Sequence, residues 1–219
     1  VTSLTDLLVA PCTRPAARFA VLRWHYSRSM PVGKLATFGV WEDGVFVGAV
    51  IYGRGATHKL GSPYGLGQTE CVELVRVALT DHATPVTRII AATLRQLRAA
   101  CPGLRLVVSY ADTAQGHHGG IYQAGNWIYT GTTGSSDCYY VVNGVKTHGR
   151  SVSSLAKPHK RPGETGIGYV RRTIDPDAYR LKNVPVKHRY AYPLNKTTRR
   201  RVAPMHKPYP PRGASRSGS

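Results

Sequence analysis

The chain is short of three things, and each shortage excludes a class of protein. Its apolar runs never exceed a few residues, too short for a membrane-spanning helix or the core of a secretory leader. The expectation is an intracellular protein with no membrane partner. Its four cysteines, Cys12, Cys71, Cys101 and Cys138, lie far apart with no C-x-x-C spacing. That removes the sequence signal for a structural zinc site or a redox dithiol and leaves isolated thiols of a reducing compartment. Acidic residues are the third shortage: 11 Asp and Glu stand against 30 Lys and Arg, a formal charge of +19. Residues 146–219 hold 18 of those cations but only Glu164, Asp175 and Asp177, so this third carries +15 and the first 145 residues carry +4. A one-signed field interleaved with Tyr169, Tyr179, Tyr190, Tyr192 and Tyr209 suits a polyanion, with nucleic acid favoured over a mere solubility tail.

What is present reads as a mixed α/β domain over residues 1–148, followed by an extension over 149–219. Thr13 and Pro15 open a helix with Phe19, Leu22 and Tyr26 on one face. Lys34–Trp41 and Val45–Tyr52, separated by Glu42-Asp43-Gly44, predict a hairpin. The glycine-rich stretch 53–69 predicts a functional or mobile loop. Glu70–Thr80 alternates, with Cys71, Glu73, Val75, Val77 and Leu79 on one side and Val72, Leu74, Arg76 and Ala78 on the other, and predicts a central strand. Thr84-Pro85 opens the clearest helix, whose stripe of Val86, Ile89, Ile90, Thr93, Leu94 and Leu97 ends at Cys101-Pro102-Gly103. Leu104–Tyr110 predicts a strand, Thr113–Ala124 a short helix, and Trp127–Thr132 and Cys138–Val142 two further strands. Beyond Arg150 the periodicity fades into Pro, Gly, Tyr and basic residues, which predicts an irregular segment for nucleic-acid binding whose last 20 or so residues are disordered.

The stretch from Tyr110 to Gly131 holds one Asp, two adjacent His, three Tyr, a Trp and five Gly directly after an apolar strand. Ligands bind beyond the carboxyl ends of strands in open α/β sheets, so this stretch is the candidate floor of a site. Asp112 at the strand end suits a base, and equally a cap on Thr113-Ala114-Gln115. His117 and His118 with Asp112 leave room for iron or another metal ion, although adjacent His on a helix diverge by about 100°. Trp24, Trp127, Tyr110 and Tyr129 are the available stacking surfaces for a base.

Ile121-Tyr-Gln-Ala-Gly-Asn-Trp-Ile-Tyr-Thr-Gly131 resembles the later helix and strand of the GNAT acyltransferases. Over nearly its full length the chain is similar to the Mom family, phage DNA modification enzymes. Trp24-His-Tyr-Ser-Arg-Ser-Met-Pro31, Glu73-Leu-Val-Arg-Val-Ala-Leu79, Ser109-Tyr-Ala-Asp112 and Gln115-Gly-His-His-Gly-Gly-Ile-Tyr122 carry that likeness. The resemblance implies a GNAT-like mixed central sheet with helices on both faces. It implies transfer of a methylcarbamoyl or acetamido group to adenine N6 of DNA, protecting viral DNA from restriction in the cytoplasm of the bacterial host. It also implies a flipped adenine, since N6 is paired in duplex DNA.

The catalytic candidates it implies are Asp112, Tyr122, His25, Tyr26, Ser109, His117 and His118, with Tyr122 protonating the leaving group. An acyl donor is required. It would lie along Val77 and Leu79 with its anion near His82, Thr84, Thr87 and Arg88. The GNAT pyrophosphate turn is replaced here by Asp81-His-Ala-Thr-Pro-Val-Thr-Arg88, so the donor is acetyl-CoA by fold analogy or a glycyl donor such as glycyl-tRNA. The nucleic-acid contacts expected are Arg28, Arg54, His58, Lys157, Lys160, Arg161, Arg171, Arg172, Lys187, Arg189, Arg199, Arg200 and Arg201. Two other readings stay open: an acetyltransferase for protein or small-molecule amines, and a phage DNA-binding protein without catalysis.

Overall fold

A computed structural model describes residues 5–55, 58–133, 138–182 and 186–211. The chain forms two compact units, one running to Ala111 and taking in Gly116–Gly131 and the chain from His188, the other comprising Asp112–Gln115 and Thr132–Lys187. The first begins with strand β1 (Leu7–Pro11), helix α1 (Arg14–Trp24), strands β2 (Leu35–Glu42), β3 (Val45–Gly53) and β4 (Cys71–Leu79), helix α2 (Val86–Ala100) and strand β5 (Leu106–Asp112). Helix α3 (Gly120–Ala124) and strand β6 (Ile128–Thr132) follow. The second unit holds strands β7 (Tyr139–Val142) and β8 (Val145–His148), helices α4 (Gly149–Ala156) and α5 (Gly166–Thr173), and the short strand β9 (Tyr179–Arg180). Strand β10 (Lys187–Pro193) and helix α6 (Lys196–Val202) complete the chain's regular elements.

Local chemistry sets most of these boundaries. Thr13 Oγ1 accepts from the Ala16 amide at 3.3 Å and Pro15 sits in the first turn of α1. Asp43 and Gly44 adopt φ +49° and +79°, the paired left-handed residues of a two-residue hairpin turn. Alternation along β3 then divides the core. Val50 and Tyr52 join Ile89, Ile90, Leu94 and Leu97 of α2, whereas Ala49 and Ile51 join Ala17, Ala20 and Val21 of α1. The sheet is therefore covered by helices on both faces, as the element order implied, and each fully buried Leu or Ile contributes about 1.5–3 kcal/mol relative to exposure.

The seven-stranded sheet runs β1-β2-β3-β4-β5-β10-β6. Its first four strands pair antiparallel, and β4 pairs parallel with β5. Several elements depart from expectation. Strand β1 was not anticipated. Strand β10, placed by sequence in the irregular extension, is an interior strand between β5 and β6. Its buried Tyr190 and Ala191 stand among basic residues that mask a period-two pattern. The extension as a whole carries α4, α5, β9, β10 and α6, and residues 203–205 form one further tight turn. Of the end expected to be disordered, residues to 211 are described here and 212–219 lie outside the described residues.

Alternation along β4 also breaks. Its register against β3 shifts between Ile51 and Tyr52, which pair with Arg76 and Leu74, so Val75 is the extra residue of a bulge. Val72 and Leu74 pack on the α2 side, and beyond the bulge so do Val77 and Leu79, whereas Val75 and Ala78 pack on the α1 side. A bulge moves Arg76 to the α1 face, where uninterrupted alternation would have set it with Leu74.

In the second unit β7 lies between β8 and β9. Asn143 and Gly144 make the β7–β8 turn with φ +49° and +75°. Val152 of α4, Val170 of α5 and Ala178 form its small core with Tyr140, Val142, Ile167 and Tyr169 against them.

Candidate functional site

Strands β4 and β5 pair only from Cys71–Leu106 to Glu73–Val108. Beyond that point they part, and Ser109 spans the parting: its Oγ lies 2.9 Å from the Leu74 carbonyl and 2.8 Å from Tyr122 Oη. A hydroxyl has one proton and a carbonyl only accepts, so Ser109 donates to Leu74 and Tyr122 donates to Ser109. Both residues are buried. Burial pushes the Tyr122 phenol up to about 12, opposed by the hydrogen bond that Ser109 can give the phenolate, with the Glu73 charge adding to the rise. Its ring is held by Trp127 and Tyr190, each 5.1 Å away between centroids.

Tyr122 lines a cavity of about 330 Å³ with Tyr110, Ala111, Ile121 and the turn Gly116-His-His-Gly-Gly120. The continuous helix expected over Thr113–Ala124 is interrupted there, because Gly116 at φ +68° and Gly119 at φ +86° reverse the chain between a one-turn helix at Thr113–Gln115 and α3. At Gly119 a side chain is also excluded by space, since a Cβ would meet the Tyr190 ring at 2.3 Å. Tyr190 Oη donates to the His118 carbonyl at 2.6 Å, and Gln123 Nε2 donates to Tyr190 Oη and to the Pro210 carbonyl, so the turn is pinned from both sides.

At the C-terminal end of α1, the rings of His25 and Tyr26 lie 4.3 Å apart, and Tyr26 meets His117 edge-on at 5.5 Å. His25 Nδ1 accepts from the Ser27 amide at 3.1 Å, with Ser27 Oγ at 2.8 Å. An amide can only donate, so a neutral ring carries its proton on Nε2. Burial first, then the charges of Arg76 and His117, lower its pKa to about 4, which makes His25 a neutral donor at physiological pH. Arg76, brought to this face by the bulge, donates from Nε and Nη2 to the Ser29 carbonyl, each at 3.2 Å. Arg76 and Glu73 were read from the sequence as strand residues and as part of the motif Glu73–Leu79, but not as site residues. The signal for them was present: two charges of opposite sign inside a strand otherwise fit for a core.

Other candidates are placed differently. Asp112 closes β5 within the second unit, and its Oδ1 accepts from the Ala114 amide at 3.0 Å, the capping role weighed beside catalysis. Among the described residues no group of three or more His, Cys, Asp or Glu is placed to hold a metal ion, so His117, His118 and Asp112 do not fit one. Trp127 and Tyr129 are buried, which removes them as stacking surfaces, whereas Tyr110 lines the cavity.

The donor side holds an unexpected occupant. The amides of Ala83 and Thr84, just before α2, donate to the two carboxylate oxygens of buried Glu42 at 2.8 and 2.7 Å. Burial raises the Glu42 pKa, but the Thr84 side chain and the two amides outweigh it and the net shift is downward. Thr84 is therefore buried beneath an internal carboxylate where it was expected to receive an anion. His82 donates from Nδ1 to the Thr80 carbonyl at 2.7 Å. Thr87 and Arg88 lie in the first turn of α2, Arg88 exposed. Val77 and Leu79 pack partly into the α2-side core.

Four expected phosphate contacts are committed internally. Arg171 donates to the Ala178 carbonyl, Arg172 pairs with Glu164 at 2.8 Å, Arg189 holds Thr130, and Arg201 donates to the carbonyls of Tyr64 and Gly65. The Lys187 amide donates to Thr133 Oγ1. Arg28, Arg54, His58, Lys157, Lys160, Arg161, Arg199 and Arg200 are exposed.

The sequence matches the Mom protein family over residues 6–211. It is 28% identical over 190 residues to the methylcarbamoylase mom of Escherichia phage Mu, covering 85% of this chain and 75% of that protein. Among solved structures it is similar to a spermidine/spermine N-acetyltransferase from Vibrio cholerae, at 9% identity and TM-score 0.45, covering 89% of this chain and 96% of the other. It is also similar to a chain from Acinetobacter baylyi ADP1 named as a candidate acetyltransferase, at 11% identity and TM-score 0.47, covering 96% and 100%.

Proposed function

We propose, from the premise that the chain belongs to the Mom protein family, that it is a transferase placing a glycine-derived methylcarbamoyl or acetamido group on adenine N6 of DNA. The product would shield phage DNA from host restriction. The relative from phage Mu is named a methylcarbamoylase. One observation of this chain supports the reading most: a buried Tyr122–Ser109 pair on the wall of a cavity of about 330 Å³, at the parting of two parallel strands. The volume suits one small planar ligand, and Tyr110 offers a face in the wall for a base drawn out of the duplex.

The chemistry needs a donor for the acyl oxygen, an acceptor for the N6 proton and an acid for the leaving atom. Neutral His25, with its proton on Nε2, supplies a hydrogen-bond donor. Tyr122 supplies the acid. On the donor side Glu42 occupies the Ala83 and Thr84 amides, so a donor pyrophosphate would have to displace a buried carboxylate. This favours a glycyl ester such as glycyl-tRNA over acetyl-CoA: acyl transfer from the ester to N6 releases the tRNA hydroxyl and gives N6-glycyladenine, and rearrangement of that isomer yields the methylcarbamoyl or acetamido group.

Purified protein incubated with DNA and either ¹⁴C-glycyl-tRNA or ¹⁴C-acetyl-CoA decides the donor by nucleoside mass spectrometry and scintillation counting. Label entering adenine only from acetyl-CoA refutes the ester donor, and unmodified adenine with both refutes the function. Asp112→Asn keeps the cap, because Asn caps as well as Asp, while removing a basic oxygen. Full activity in that variant would end the role of Asp112 as base.

A further inference from the structure

From Leu7 to Trp41 the chain has no acidic residue, while Arg14, Arg18, Arg23, Arg28 and Lys34 give it five cations. Three of them lie on α1. That helix turns Ala17, Ala20 and Val21 into the sheet, so its outer face consists of Arg14, Pro15, Arg18, Phe19, Leu22 and Arg23. Those six residues line an open groove of about 550 Å³. Phe19, Leu22 and Tyr26 were expected to form a single face of the helix. That face points outward, leaving Phe19 46%, Leu22 36% and Tyr26 53% exposed.

Large apolar side chains at a solvated surface mark a contact when they share it with unneutralised charge. The Arg23 guanidinium stands 5.3 Å over the Phe19 ring, and Phe19 meets Trp24 edge-on at 5.4 Å. Arg14, Arg18 and Leu22 form one row at four-residue spacing, rising about 6 Å per step. Arg14 and Arg18 in a row, with Arg23 beside them and the half-exposed Phe19 ring in the same groove, make the combination that holds a nucleic-acid strand, with phosphates on the guanidiniums and a base or sugar against the ring. A second copy of the chain is disfavoured as occupant, because each copy carries +19 and this face contributes only positive charge.

The helix leads into the cavity region. It ends at His25 and Tyr26, and Tyr26 touches His117 of the cavity wall. We infer that the outer face of α1 is the track along which the DNA strand carrying the target base approaches the cavity. Arg18 and Arg23 take phosphates, Arg14 takes one with the part of its guanidinium that does not donate to the Gly33 carbonyl (Nη1, 3.4 Å), and Phe19 takes a base or sugar face. This rests on the DNA-modifying reading above and moves its primary contact away from the C-terminal third.

The test is fluorescence anisotropy of the full-length protein with a fluorescein-labelled single-stranded DNA across a series of NaCl concentrations, with nucleoside mass spectrometry on the same preparations. The triple variant Arg14→Ser/Arg18→Ser/Arg23→Ser should lose at least about tenfold in affinity and flatten log K against log[salt] by about 2, roughly 0.7 per phosphate contact. Phe19→Ala should lose about tenfold with the slope unchanged. Arg18→Ser alone, flattening the slope by about 0.7, serves if the triple variant does not fold. Affinity within twofold and an unchanged slope, in variants of a wild type that binds and modifies DNA, overturns this inference and leaves the function standing. A wild type that neither binds nor modifies DNA overturns the function itself. Loss of labelled tRNA binding with DNA affinity intact reassigns the track to RNA. Dissociation of a wild-type dimer with DNA affinity intact makes the face a self-association surface, and either outcome overturns the inference.

Discussion

Replacing Gly119 with alanine should destabilise the protein by about 2–5 kcal/mol, and the structure divides that cost into two parts. The left-handed backbone, at φ +86°, costs an L-residue about 1–2 kcal/mol. The new Cβ would also meet two Tyr190 ring carbons at 2.3 and 2.5 Å and its hydroxyl oxygen at 2.7 Å. Tyr190 is fully buried and held to the His118 carbonyl, so it yields only by disturbing its neighbours, an overpacking cost of about 1–3 kcal/mol. Gly116 supplies the control three residues earlier: its φ is +68°, yet nothing lies within 4 Å of its would-be Cβ, so Gly116→Ala should carry the strain alone. Urea unfolding followed by tryptophan fluorescence reads both variants. With a slope of about 2–3 kcal/mol per molar, the Gly119→Ala midpoint should fall by about 1–2 M and that of Gly116→Ala by about 0.5 M. Equal midpoints for the two variants would show that Tyr190 does not abut the turn and would refute the packing account of the cavity wall.

Three further outcomes follow from the same geometry. Glu42→Gln replaces one accepting oxygen by a donor facing an amide, which should cost about 2–3 kcal/mol at pH 7 in a urea titration. Because the folded-state pKa of Glu42 is depressed, its contribution is present above the unfolded carboxylate pKa and lost as pH falls through the folded value. The wild-type and Glu42→Gln curves should therefore converge in acid. The His25 pKa is lowered as well, which gives the same sign of slope. Its folded pKa of about 4 lies below 6.5, so the unfolded chain binds more protons between those values and stability declines as pH falls through that window; His25→Asn should flatten this part of the curve. Tyr122→Phe should reduce adenine modification by at least about 100-fold while costing only about 1 kcal/mol in urea, since Ser109 keeps its bond to Leu74; equal activity would exclude Tyr122 as the acid.

Periodicity and turn chemistry made much of the first unit legible. The β2–β3 hairpin declared itself through Asp43-Gly44, and α2 through its apolar stripe and flanking prolines. What escaped depends on contacts distant in sequence. The β4 bulge is set by register against β3, and a strict two-residue period assigned Arg76 and every later residue to the wrong face. Strand β10 was hidden because His188, Arg189, Tyr190 and Tyr192 read as a basic aromatic tail when no neighbour is known. Tyr122, Ser109, His25, Tyr26 and His117 were identified through the family resemblance, and the structure brings them around one region. Glu42 could not be found that way, since only folding carries a strand-end carboxylate to amides 41 and 42 positions later.

The interior place of β10 also constrains when the protein can be made. Strands β5 and β6 leave the ribosome some 75 and 55 residues before the segment that lies between them, and neither can complete its ladder until residue 193 has emerged. Until then two strand edges stand open beside the incomplete cavity wall, since Tyr190 has yet to reach Gly119. A nascent chain stalled or cut in this interval exposes pairing edges to other chains. Activity should consequently appear only after residue 193 has emerged, and removing the chain from 187 onward would cut edge strand β6 off from the rest of the sheet.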